Sequence, residues 1–381
     1  RIHRAAADPP INLPYAGELK ALKRSGRYRE RRLADETLLD AASNDYLGLS
    51  HREELHRAAC ETLSRSPYHA PKASMLVGGY HPIHAAFERA LCEANGFESG
   101  IVMGSGFNAN IGLIESLVRK GDVLLIDEDY HASGILASRL CEGEVLFFPH
   151  NDAVYLAEAL ERFAGRRIVV AVEGIYSMGG DCVTREVLEL AIRHETVLLI
   201  DEAHSSGVIG PNLMGILDHY AIAPTPLMVK MGTLGKAYGS FGAYALCSEH
   251  LCEYLINRAK NVIYATAPSL YDTALAHHAL EYIRANTASL RADIESRRQI
   301  VAQILGIDVP GLIVPIPIGD NREVMRLQEE IKNELGVHVG AIRQPTVKKA
   351  IIRLIARLEI DEAVLRQVCE RFVPILDKIS R

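Results

Sequence analysis

Between residues 101 and 246 short apolar runs alternate with amphipathic stretches. Ile101-Val102-Met103, Val123-Leu124-Leu125-Ile126, Val145-Leu146-Phe147-Phe148, residues 168–172 and Val197-Leu198-Leu199-Ile200 are continuous apolar runs too short for helices. Each predicts a strand buried on both faces. Between them, residues 108–118, 133–140, 153–163 and 184–194 place apolar side chains at helical spacing and predict helices. Residues 227–231 and 242–246 predict two more strands. Such alternation implies an α/β fold: a large, doubly wound, mostly parallel sheet with helices on both faces.

The flanks read differently. Residues 17–23 predict a helix with Leu19 and Leu22 on one side. A short strand follows near Leu38-Leu39, and Asn44-Asp45 with Gly48 marks a turn after it. Helices are predicted over 51–64 and from Pro82 to near Gly96, since proline suits the first turn. After Pro268 one long helix is predicted over 269–303. Strands at 313–318, 337–339 and 351–358 and helices at 322–335 and 361–379 complete a small α/β domain with an antiparallel sheet. The organisation expected is an N-terminal arm and helix (1–48), a large domain (49–270) and a small C-terminal domain (271–381).

Composition narrows the function classes. The 381 residues are 48% hydrophobic and 24% charged, as in ordinary globular chains, and can bury a sizeable core. A net charge of −6 argues against a general nucleic-acid binder. Arg24, Arg27, Arg29, Arg31 and Arg32 form a local basic patch, either a solvated face or a surface that meets an anionic substrate. Seven scattered cysteines, odd in number and without Cys-x-x-Cys, suit reduced thiols in the cytoplasm rather than disulfides or a metal site. No apolar run approaches the ~18 residues of a membrane span. The chain opens on Arg1 without a signal-peptide pattern, so the native start is expected to lie elsewhere.

The chemistry-bearing residues follow strand ends, where open α/β sheets bind ligands. Asp201-Glu202-Ala203-His204 follows one strand, and Gly232-Thr233-Leu234-Gly235-Lys236 follows the next. The acidic stretch also matches the acidic box of some ATPases. That reading needs a Gly-x-x-x-x-Gly-Lys-Ser/Thr loop, but Lys occupies position 230 and Ala position 237. The pair is read instead as a pyridoxal phosphate site: Lys236 holds the cofactor as a Schiff base, and Asp201 faces the pyridinium nitrogen and keeps the ring an electron sink. Gly104-Ser105-Gly106-Phe107-Asn108 opens a helix suited to the phosphate, with Thr233 offering a hydroxyl nearby. His131 can stack on the ring, or cap a turn. His204 can reach the phenolic oxygen, Ser177 the cofactor or its phosphate, and Glu173 the substrate side.

These stretches, with Ser43-Asn44-Asp45-Tyr46-Leu47-Gly48-Leu49 and Ser105-Gly106-Phe107-Asn108-Ala109-Asn110, resemble the α-oxoamine synthases over about residues 15–375. The resemblance implies a fold-type I pyridoxal-phosphate enzyme that condenses an amino acid with an acyl thioester and releases CO2. It implies catalytic roles for Lys236, Asp201, His204 and His131, and cofactor contacts from Gly106, Phe107, Ser177 and Thr233. Thr266 would reach the phosphate of a second copy, implying a homodimer with a shared site. Asn44, Arg343 and Thr346 would face substrate, together with Arg24 or Arg27. Residues 173–181, 263–266, 319–321 and 340–347 resemble the members that join L-alanine to a pimeloyl thioester carried by CoA or an acyl carrier protein. The alternative is a member that uses glycine with an acetyl or succinyl thioester or serine with a long acyl chain, or one that makes a signalling molecule. A catalytically silent partner subunit is disfavoured by intact Lys236, Asp201 and His204. A nicotinamide dehydrogenase is disfavoured by the lack of Gly-x-Gly-x-x-Gly after the first strand. Two places depart from the family pattern. Lys348-Lys349-Ala350 replaces a proline-x-glycine, and the strand that follows keeps Arg353 but has Ile355 where a second arginine is common. Ser74-Met75 stands where serine and a basic residue are usual.

Overall fold

The structure, a computed structural model, describes residues 13–379. Residues 1–12 of the expected arm lie outside the described residues. The elements in chain order are α1 (Ala16–Arg24), β1 (Leu39–Ala41), α2 (Glu53–Ser64), α3 (Pro82–Asn95), β2 (Ser99–Met103), α4 (Gly106–Leu117), β3 (Val123–Asp127) and α5 (Ala132–Ser138). Next come β4 (Glu144–Phe148), α6 (Ala153–Arg162), β5 (Ile168–Glu173), α7 (Arg185–Arg193), β6 (Val197–Asp201), α8 (Ile216–Tyr220), β7 (Met228–Thr233) and β8 (Ala243–Cys247). The chain ends with α9 (Glu249–Arg258), α10 (Lys260–Ile263), α11 (Leu270–Ala285), α12 (Thr287–Leu305), β9 (Ile313–Gly319), α13 (Asn321–Leu335), β10 (Val337–Ile342), β11 (Ala350–Ile355) and α14 (Glu362–Ile379).

Seven strands form one sheet in the order β2-β8-β7-β6-β5-β3-β4. Only β8 runs antiparallel to its neighbours. Strands β3, β5, β6, β7 and β8 are buried along their whole length, Lys230 of β7 included, whereas the edge strand β4 is partly exposed. Helices cover both faces. Phe87 of α3, Leu156 of α6 and Val187 of α7 pack in one cluster, and Leu113 of α4, Ala137 of α5 and Leu255 of α9 in the other. Local chemistry sets the helix ends. Ser105, Asp152, Thr184, Ser248, Ser269 and Asp320 accept N-capping hydrogen bonds, and Gly96, Gly306 and Gly336 close helices with positive φ.

The second sheet has the order β1-β10-β11-β9. The three C-terminal strands are antiparallel, as expected, and β1 joins β10 in parallel. The N-terminal segment is thereby a strand of the small sheet. The expected long helix is two helices that break at Asn286, with α11 packed on α2 and α3 and α12 packed on α14. Helices α8, α9 and α10 were not expected. In α9 the apolar residues of Glu249–Arg258 are interleaved with charges, and the helix is marked instead by its Ser248 cap.

Candidate active site

Sheet register builds the site. Glu173 and Asp201 are paired neighbours at the carboxyl ends of β5 and β6, so their side chains leave the same face. Asp201 also pairs with Met231 of β7, and the chain continues from there to Thr233 and Lys236. The start of α4 lies over β7: a Cβ on Gly106 would sit 3.6 Å from the Thr233 Cβ, in ordinary van der Waals contact.

Asp201 is buried and doubly held. Its Oδ1 accepts from the Ala203 N–H at 2.9 Å and its Oδ2 from Asn110 Nδ2 at 2.9 Å. Asn110 is fully accounted for: its amide also donates to Ser133 Oγ at 2.9 Å, and its oxygen accepts from the Tyr130 hydroxyl at 2.7 Å. Ser133 Oγ in turn meets His131 Nδ1 at 2.7 Å, and that nitrogen also accepts from the Ser133 N–H. With Nδ1 accepting, the proton of neutral His131 is on Nε2. Burial holds the His131 pKa below its ordinary value, and neighbouring Lys236 adds to this against the pull of Asp201.

His204 is buried beside Tyr46, whose hydroxyl lies 2.5 Å from His204 Nδ1. Burial, then the positive charges of Lys236 and Arg353, push the His204 pKa well below the usual range. Burial pushes the Tyr46 phenol up. Tyr46 therefore donates, His204 accepts at Nδ1, and His204 Nε2–H is the donor left to face a ligand.

The Lys236 amine makes no hydrogen bond among the described residues, although the residue's carbonyl accepts from the Gly239 N–H at 2.9 Å. Its pKa is lowered by burial, with Asp201 and Glu173 opposing and Arg353 assisting. Glu173 is buried, its Oε2 lacks a hydrogen-bond partner among the described residues, and burial with neighbouring Asp201 holds its carboxyl well above the usual range. A half-buried amine without a hydrogen bond, a buried carboxylate and an orphaned carboxyl oxygen together fit a site that takes a charged ring. The first-turn N–H groups of α4, at Gly106 and Phe107, have no carbonyl to reach within the helix and suit its phosphate. The residues present fit pyridoxal phosphate.

Arg353 is a further charged group at this place. Only 6% exposed in β11, it donates from Nε to the Ser177 carbonyl at 2.7 Å and from Nη2 to Asn44 Oδ1 at 3.0 Å. His150 ties two of the site loops together through Asp127 and Asp181. Burial works against its charge, but these hydrogen bonds outweigh it and raise its pKa to about 10.

The fold thus gathers Lys236, Asp201, His204, His131, Glu173, Asn44, Ser177, Thr233 and Gly106. The Thr233 hydroxyl donates to the Gly242 carbonyl at 3.1 Å. Other expected residues stand apart from this network. Arg343 donates to the Gly26 carbonyl at 2.7 Å, and Thr346 is exposed and bonded through its N–H to the Arg343 carbonyl. Arg24 and Thr266 are exposed, as is half of Phe107. Tyr46, Asn110 and Arg353 were missed as site residues. For Arg353 a signal existed: a lone arginine inside the apolar run 350–355.

The aminotransferase class I and II family model matches residues 36–372. An 8-amino-7-oxononanoate synthase of Helicobacter pylori strain J99 is 40% identical over 89% of this chain and 91% of its own length. One from Trichlorobacter lovleyi is 34% identical over 88% and 90%. The chain belongs to the α-oxoamine synthase family. It is accordingly a pyridoxal-phosphate-dependent acyltransferase. Among solved structures, Sphingomonas wittichii serine palmitoyltransferase superposes with a TM-score of 0.85 at 22% identity, covering 96% of this chain and 98% of that one. Francisella tularensis 8-amino-7-oxononanoate synthase superposes at 0.77 with 24% identity, covering 91% and 100%. These likenesses establish the fold-type I architecture of this α-oxoamine synthase.

Proposed function

We propose that this α-oxoamine synthase joins L-alanine to a pimeloyl thioester, giving 8-amino-7-oxononanoate, CO2 and the carrier thiol. One observation carries the reading: the Lys236–Asp201–Glu173 constellation lies in a chain 40% identical to an 8-amino-7-oxononanoate synthase over most of both lengths. Lys236 would hold the cofactor, Asp201 its ring nitrogen, His131 its face and His204 Nε2–H its phenolic oxygen. Gly106, Phe107, Ser177 and Thr233 would take the phosphate side. Exposed Thr266 would add to it from a second copy in a homodimer. Pyridoxal phosphate, when bound, supplies an electron sink for the charge left at the amino-acid α-carbon.

The protein's own part is placement and proton handling. Arg353, with Asn44 beside it, would bind the alanine carboxylate; this moves to Arg353 the role first expected of Arg343. Lys236, with its pKa lowered, accepts the α-proton. The α-carbon then attacks the thioester carbonyl, a C–C bond forms, the C–S bond breaks and the thiol leaves. The carboxylate departs as CO2, and a proton returns to the α-carbon. Asp201 would keep its Asn110 and Ala203 hydrogen bonds throughout. Arg24 and Thr346 would serve the acyl side. The reading keeps 49–270 as the cofactor-binding domain, 271–381 as the small domain and 1–48 as an N-terminal arm and helix whose strand β1 joins the small sheet, in a cytoplasmic enzyme. Among the described residues no helix is long and apolar enough to cross a membrane.

The test is product mass after incubating the cofactor-loaded protein with alanine, glycine or serine and a panel of acyl thioesters. Alanine with the pimeloyl thioester should give the dominant product. Dominance of another pair would overturn the substrate assignment.

A further inference from the structure

We infer that Arg357 is a positioning residue that holds the segment 40–50 so that Asn44 and Tyr46 present Arg353 and His204 correctly to the amino acid. The inference rests on the site reading above and adds a residue outside it. The Arg357 side chain is 7% exposed. Its Nε donates to the Asp45 carbonyl at 2.9 Å. Its Nη1 donates to the Asp40 carbonyl at 3.1 Å and to Asp40 Oδ2 at 2.9 Å. Its Nη2 donates to Asp45 Oδ2 at 2.9 Å and to Glu359 Oε2 at 2.5 Å. A planar fork meeting three carboxylates in this way has no equivalent in lysine.

The two aspartates bracket one stretch of chain and stiffen it from within. Asp40 Oδ1 accepts from the N–H groups of Ala42 and Ser43, both at 2.9 Å. Asp45 Oδ1 accepts from the N–H of Leu49 at 3.1 Å and of Ser50 at 3.3 Å, and Asp45 Oδ2 from the Ser50 hydroxyl at 2.6 Å. The Leu358 N–H donates to the Tyr46 carbonyl at 3.0 Å. Gly48, at φ +68°, lies against Glu359, where a Cβ would come within 2.3 Å of Glu359 Cγ. The segment is thus seated on the turn after β11.

Two side chains reach from this segment into the site. Asn44 Oδ1 accepts from Arg353 Nη2 at 3.0 Å, and the Tyr46 hydroxyl meets His204 Nδ1 at 2.5 Å. Asp45, His51 and Glu359 also bring three potential metal ligands within 4.8 Å of one another. Arg357 neutralises two of them directly and His51 Nε2 contacts Glu359 at 2.7 Å, so the cluster is an ion-pair network. Without the guanidinium, Asp40, Asp45 and Glu359 repel one another, and the bracket opens.

The experiment compares wild type with Arg357→Gln and Arg357→Lys, and with Asp45→Asn should the first fail to fold. Amide exchange at Ser43, Leu49 and Ser50 is read on the cofactor-free chain. Amino-acid affinity is read on the loaded enzyme by the change in cofactor absorbance, beside kcat and KM. Misplaced contact groups cost about 10–100-fold, so Arg357→Gln should speed these amides and raise the amino-acid KM by that order. Cofactor retention should hold, and kcat at saturating amino acid should change far less than KM. Arg357→Lys should recover part of the affinity. Unchanged exchange, or faster exchange with unchanged amino-acid KM, overturns the inference. A wild type that answers no amino acid overturns the functional reading instead, while exchange still decides the anchoring.

Discussion

Replacing Arg353 by alanine is the sharpest perturbation of the proposed amino-acid site. A guanidinium that grips a carboxylate makes two charge-assisted hydrogen bonds at ~1.5–3 kcal/mol each. Their joint loss, taken as roughly 3–4 kcal/mol, corresponds to about 10²–10³ in amino-acid affinity. A second effect has a definite sign. Arg353 helps to hold down the pKa values of Lys236 and His204, so both should rise in the variant. A more basic Lys236 is more often protonated at neutral pH, so the acid limb of kcat against pH should move upward. The fold also loses something. The Ser177 carbonyl is left without its donor, and so is Asn44 Oδ1, because the single proton of the Tyr46 hydroxyl beside it is given to His204. Each unsatisfied buried acceptor costs ~1–3 kcal/mol of stability, which a thermal melt reads separately. Titration of the loaded enzyme with alanine, followed by cofactor absorbance, measures the affinity. Arg353→Lys keeps the charge and should restore the pH limb but not the fork, leaving affinity about tenfold or more below wild type. Arg343→Ala should stay close to wild type. A folded, cofactor-loaded Arg353→Ala protein with normal alanine affinity would refute the assignment, and a large loss in Arg343→Ala alone would return the role to that residue.

Asp201→Ala should leave the cofactor ring without its anionic partner and lower kcat by ~10²–10³ with cofactor still bound, by analogy with removal of one preorganised electrostatic group; near-normal turnover would dismiss this strand end as the ring site. Acid should destabilise the fold through His204, which is buried neutral. Below about pH 6.5 the unfolded chain takes up a proton that the folded chain refuses, so stability falls with pH by up to about 1.4 kcal/mol per unit. Urea unfolding of wild type and His204→Asn at pH 7.5 and 5.5 checks this, and equal losses in both would show that His204 does not titrate in this way.

The large sheet is legible in the hydrophobic pattern alone. Continuous apolar runs such as Val123-Leu124-Leu125-Ile126 and Val197-Leu198-Leu199-Ile200 can be satisfied only by burial on both faces, and caps such as Ser105, Asp152 and Thr184 announce their helices locally. Motif chemistry likewise brought Lys236, Asp201, His131 and His204 to neighbouring strand ends, because parallel strands deliver their following loops to one edge. Other features belong to long-range geometry. Nothing local in Leu39–Ala41 says that it pairs with Val337–Val339, some three hundred positions away in the sequence. Asn286 interrupts a stretch that is helical on both sides. Tyr46 fixes the tautomer of His204 only because the two meet across the fold, and Asn110 can hold Asp201 only because α4 packs over β7, the strand next to β6. Arg343 and Arg353 are equivalent as letters in a sequence. What separates them is tertiary: Arg353 is buried in β11 among Ser177, Asn44 and Tyr46, whereas Arg343 is spent on the Gly26 carbonyl. Propensity and pattern act over a few residues, while desolvation and charge act on whatever the fold brings within a few ångströms.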